Sequence, residues 1–71
     1  MSDSVYKVIE VVGTSPTSFA EAAKTAVEKV AATVQDLRVA RVAELDMRLE
    51  NGKVIAYRAR VKVSFKYHEE L

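Results

Sequence analysis

Asn51-Gly52 lies between two runs of alternating residues, and no other feature restricts the fold of this chain as much. Both residue types tolerate the positive φ of the two-residue turns that match strand twist, so the pair is a strong hairpin signal. After it, Ile55, Tyr57, Ala59, Val61, Val63, Phe65 and Tyr67 point one way. Ala56, Arg58, Arg60, Lys62, Ser64 and Lys66 point the other. Before it, Arg38 to Glu50 alternates more loosely. The chain is predicted to end in a long antiparallel hairpin, with strands over 38–50 and 53–67.

Upstream, Phe19, Ala22, Ala23, Ala26, Val27, Val30 and Val34 recur at steps of three and four. That spacing predicts an amphipathic helix over 18–35, ending near Asp36. Ser18 followed by Glu21 reads as a capping box, and Pro16 suits a helix entry. The small Ala and Val side chains of the stripe favour close approach to a sheet. Val5 to Val12 is β-branched and nearly all apolar, as expected of a strand buried on much of both faces. Gly13 to Thr17 reads as the turn between strand and helix. The predicted order is β-α-β-β, an α+β domain spanning residues 1–71.

At ~3.3 Å per residue each hairpin strand runs to more than about 40 Å, whereas the helix covers about 25 Å. One helix cannot cover that hairpin. A chain of 71 residues also buries little surface by itself and usually needs a staple. It has no cysteine, and its one histidine, His68, lies near an end, so disulfide and zinc staples are ruled out. Association with copies of itself is the support that remains. A net charge of +1 is no footprint for nucleic acid. No apolar run approaches a membrane span and no signal peptide is visible, so a soluble cytoplasmic protein is expected.

A two-residue turn at Asn51-Gly52 places Val42 opposite Val61 and Ala40 opposite Val63, facing the helix. Unbroken alternation then puts Glu44, Asp46 and Arg48 on that same face, beside Tyr57 and Ile55. The opposite, outward face receives Val39, Ala43, Leu45, Met47 and Leu49 with Val54, Ala56, Arg58 and Arg60. A mixed apolar and cationic surface of that size reads as interface, ligand contact or both. Glu44, Asp46 and Glu50 alternate along one strand. They read either as oxygen donors for a metal or as ion-pair partners for Arg48, Arg58 or Lys53. Arg58, Arg60 and Lys62 read as a grip for a ligand phosphate or as solvated charges guarding a strand. No nucleophile–base pair is visible, so an enzyme is not expected.

Across nearly its whole length the chain resembles the dodecins, through the opening VYKVIEVVGTSPTSF and the ending NGKVIAYRARVKVSFK. The resemblance implies a three-stranded antiparallel sheet partly wrapping one helix, and assembly into a hollow homododecamer. It also implies non-enzymatic storage of small ligands, FMN or another flavin in most members and coenzyme A in some. Flavin-binding dodecins carry a tryptophan where this chain has Val39, and a strand-three glutamine where it has Arg58. Losing the indole removes a stacking contribution of about 0.5–1.5 kcal/mol. The tryptophan-less calcium dodecin branch is closer, its strand two resembling RVARVAELDM, and it implies a bound calcium. The candidate ligand contacts are therefore Val39, Leu45, Arg58 and Arg60, and the candidate metal ligands Glu44, Asp46 and Glu50. A reading from another class is a structural shell that presents peptide-docking surface to a protein partner.

Overall fold

The computed structural model describes residues 4–66, so Tyr67 and His68 lie outside the described residues. Strand β1 (Tyr6–Ser15) leads into helix α1 (Phe19–Ala31), and β2 (Leu37–Glu50) and β3 (Lys53–Lys66) form the hairpin. All pairings are antiparallel and the strand order is β1-β3-β2, which makes β3 the centre of an open sheet. The predicted β-α-β-β order and α+β class are therefore correct. Asn51 (φ 51°) and Gly52 (φ 76°) both take positive φ, as the two-residue turn requires.

Gly13 to Ser15 continue β1 instead of turning. Gly13 is where helix and strand meet. A β-carbon there would run into the Ala22 carbonyl oxygen and come within 2.8 Å of Ala26 Cβ. Ala22 and Ala26 are buried for the same reason, their methyl groups being small enough to let the two backbones close. The turn proper contracts to a few residues and is tied by Ser15, whose Oγ accepts from the N–H of Thr17 (3.0 Å) and Ser18 (3.4 Å). Ser18 caps the helix, its Oγ accepting from the Glu21 N–H at 3.0 Å. The reciprocal half of the expected capping box is not made, since the Ser18 N–H goes to Ser15 instead.

The helix stops at Ala31, short of the predicted Gln35. The Thr33 hydroxyl donates to the Val30 carbonyl (3.3 Å), which the Thr33 and Val34 N–H groups also use. Local bonding of this kind competes with helix continuation. Asp36 then reverses the chain with φ 62°, and the Lys66 N–H bonds its carbonyl. Val34 keeps a half-buried place beyond the helix.

The core consists of Ala22, Ala26, Val30, Ala59, Val61 and Val63, with Ile9, Val11, Ala23, Val27 and Leu37 around most of it. Thirteen helical residues cover about 20 Å, whereas a 14-residue strand spans about 46 Å. The molecule is accordingly elongated, 55 × 20 × 16 Å. Helix α1 sits over β1 and β3 and barely touches β2, every residue of which beyond Leu37 is exposed. The expectation that β1 is buried on both faces fails for the subunit. Tyr6, Val8 and Val12 lie exposed on the face away from the helix.

No helix among the described residues is long and apolar enough to cross a membrane. If Gly13 seats the helix, Gly13→Ala should cost about 1–3 kcal/mol through overpacking. Gly52→Ala, strained by its positive φ but in open space, should cost about 1 kcal/mol. Urea unfolding at one fixed protein concentration measures both, and an unchanged midpoint for Gly13→Ala would contradict this packing.

Candidate functional site

Two irregularities in the hairpin decide which chemistry appears on which face. Val42 pairs with Val61 and Ala40 with Val63, as predicted. Beyond them Ala43 is an extra residue on β2, so Glu44 pairs with Arg60, Leu45 with Ala59, Asp46 with Arg58 and Met47 with Tyr57. Near the turn an extra residue on β3, Ile55, restores the offset, and Leu49 faces Val54. The extra residue transfers the β2 side chains that follow it to the other face. Glu44, Asp46 and Arg48 therefore lie on the outward face with Arg58, Arg60 and Ala56. Leu45 and Met47 lie on the helix side. Both placements reverse the prediction.

The outward face can now be read in rows across β1, β3 and β2. Thr14, Arg58 and Asp46 form one row, and Val12, Arg60 and Glu44 the next. Glu10, Lys62 and Arg41 follow, then Val8, Ser64 and Val39. Arg58 grips Asp46 through Nε–H to Oδ1 at 2.7 Å and Nη2–H to Oδ2 at 3.4 Å. Arg60 donates to Glu44 Oε1 at 3.1 Å, and its Nη1 lies 4.0 Å from Glu10 Oε1. One guanidinium thus joins all three strands. A shallow cavity of ≈ 450 Å³ borders this cluster, lined by Glu10, Arg41, Glu44, Arg60 and Lys62 among others.

The hydrogen bond from Arg58 holds the Asp46 carboxyl below the ordinary carboxylate range, and the same bond raises Arg58. Both groups are solvent-exposed, so the pair serves orientation more than stability. Of the predicted ligand contacts, Val39, Arg58 and Arg60 share the outward face and Leu45 is separated from them. Of the predicted metal ligands, Glu44 and Asp46 share that face, each engaged by a guanidinium. Glu50 stands by the turn opposite Lys53, about 13 Å further along the strand. Among the described residues no group of three or more carboxylate or imidazole side chains is placed to hold a metal ion. Glu10 was missed as a partner of Arg60, because no local pattern in β1 reveals which strand it will lie beside.

These features are those of a known structural group. A family model described as Dodecin matches residues 5–68. The chain belongs to the dodecin family. Calcium dodecin of Mycobacterium tuberculosis is 52% identical over 63 residues, 89% of each chain. A crystal structure of calcium dodecin from that organism, described as calcium-chelating, matches with TM-score 0.81 and 48% identity over 94% of this chain and 96% of the other. The dodecin of Streptomyces coelicolor matches with TM-score 0.90 and 33% identity, over 99% of this chain and 100% of its own. As in the expectation from resemblance, this dodecin-family chain has a three-stranded antiparallel sheet and one helix.

The sign of the Asp46 effect gives a pH prediction. A carboxyl whose folded pKa is depressed contributes stability above its unfolded pKa of about 3.9, and loses it as pH falls through the lower folded value. Asp46 should therefore titrate below the ordinary aspartate range when its side-chain carbon shift is followed by NMR. Arg58→Gln should return it to the ordinary range. An unmoved Asp46 titration in that variant would remove Arg58 as the cause.

Proposed function

We infer that this dodecin-family chain is a non-enzymatic binding subunit that assembles with copies of itself into a hollow homododecamer and holds calcium in preference to a stacked flavin. The observation that carries the choice of ligand is Val39, exposed on the outward face beside Ser64. Valine offers no π-face to an isoalloxazine ring. Arg58 is engaged by Asp46, and a guanidinium only donates hydrogen bonds, so it does not replace an amide that also accepts. Flavin or coenzyme A phosphates approaching Arg58 and Arg60 meet cations already neutralised by Asp46 and Glu44. The name and 52% identity of the mycobacterial relative support calcium.

Self-association is supported by the uncovered hairpin. Leu45, Met47, Leu49 and Val54 are all exposed in the subunit, a liability for a monomer. Calcium needs six to eight oxygens at about 2.3–2.6 Å. Glu44, Asp46 and Glu50 of one subunit do not converge on such a shell. In this reading donors from several copies meet where the subunits do, so assembly precedes the metal.

Sedimentation should give a single species of about twelve subunits; a folded monomer at micromolar concentration ends the reading. Calorimetry on that species should show calcium binding that magnesium does not reproduce. FMN should be quenched weakly by the natural chain, and Val39→Trp should tighten it by roughly three- to tenfold. Strong quenching by the natural chain would restore flavin as the ligand.

A further inference from the structure

The distal half of the hairpin carries a strip of apolar side chains on its helix side that α1 does not cover. Leu49 and Val54 stand opposite each other there, both well exposed, and Met47 continues the strip toward the core. One step nearer the turn, Glu50 stands opposite Lys53. The strip thus ends in one carboxylate and one ammonium group.

On the same side of the sheet an apolar hollow of ≈ 360 Å³ lies between α1 and β2. Val27 of the helix lines it with Val42 and Val61 of the sheet, and Val42 is left well exposed. The hollow is likewise bordered by one ammonium and one carboxylate, Lys24 and Glu28. Among the described residues none of these four charged side chains has an ion pair or a side-chain hydrogen bond. The strip cannot fill the hollow of its own chain, because Leu49 lies about 23 Å beyond Val42 along the same strand.

We propose that the hollow receives the hairpin strip of a second copy of this chain. Leu49 and Val54 of one copy seat against Val27 and Val42 of the other, and the rim charges pair as Glu50 with Lys24 and Lys53 with Glu28. The contact presupposes the self-association inferred above and specifies which surface meets which. Strip and hollow are different surfaces, so the contact is head-to-tail, each copy giving one strip and accepting one. Such contacts build rings when the rotation closes, whereas a two-fold dimer joins one patch to itself. The rim charges fix partner and register, since a like-charged arrangement would repel.

Charge reversal tests the pairing without disturbing the subunit. Lys24→Glu with Glu28→Lys keeps opposite charges at i and i+4, in the order a helix prefers. Glu50→Lys with Lys53→Glu keeps opposite charges across the strand pair. Sedimentation of a dilution series at low salt gives the concentration at which half the subunits are assembled. Either reversal by itself should raise that concentration at least about tenfold, and all four substitutions in one chain should return it to within about threefold of the natural value. At about 1 M salt the effect of a single reversal should shrink, whereas Leu49→Asp should impair assembly at either salt. A natural chain that stays monomeric overturns self-association and this contact with it. A natural assembly that tolerates both single reversals, or that the four substitutions together fail to restore, overturns this contact alone.

Discussion

The approach of helix α1 to the sheet at Gly13 governs where everything else can lie. Only a residue without a side chain lets the Ala22 carbonyl and the Ala26 methyl come so near a strand. The contact anchors the helix over β1 and the neighbouring half of β3, and thirteen residues do not reach further. The enclosed core is small as a result, its largest fully buried side chains being Val61 and Val63. A core of alanines and valines favours backbone proximity over buried volume, which leaves the distal hairpin and β2 beyond Leu37 uncovered in the subunit.

The bulges at Ala43 and Ile55 act on that uncovered region. Without them Glu44 and Asp46 would sit on the helix side, beside the apolar side chains, and Arg58 and Arg60 would lie opposite Leu45 and Ala43. With them the charges gather on the outward face as ion pairs and the apolar residues gather on the helix side. Each surface becomes chemically consistent. Bulges also twist and interrupt an edge strand, which discourages indiscriminate pairing along β2.

The consistency has a functional consequence. The helix-side face of the hairpin, with Leu45, Met47 and Leu49, has the character of a surface made to be covered by protein. A hollow of ≈ 360 Å³ between the helix and β2, lined by Ala23, Val27, Ala40, Val42 and Val61 with two charged helix residues at its rim, continues it. The outward face has the character of a ligand surface, charged, hydrogen-bonding and only partly apolar. Its central cations, Arg58 and Arg60, are internally neutralised. The charged and the apolar surfaces of the hairpin thus lie on opposite sides of one thin sheet.

Periodicity, capping and turn chemistry are local properties, and they were legible in the chain itself. The turn at Asn51-Gly52, the Ser18 cap, the stripe of α1 and the pairing of Val42 with Val61 all follow from residues near one another in sequence. The family motif was legible for the same reason, since it consists of contiguous segments. The role of Gly13, the strand order β1-β3-β2 and the bulges were not. Each depends on which distant backbone a residue meets. A bulge adds one residue without any compositional mark, yet it reverses the facing of the side chains that follow it on its own strand, so the candidate site could be named by residue and still be placed on the wrong side. Tertiary pairing decided that Glu44 and Asp46 stand with Arg60 and Arg58, that Leu45 does not, and that Arg41 is left facing Lys62.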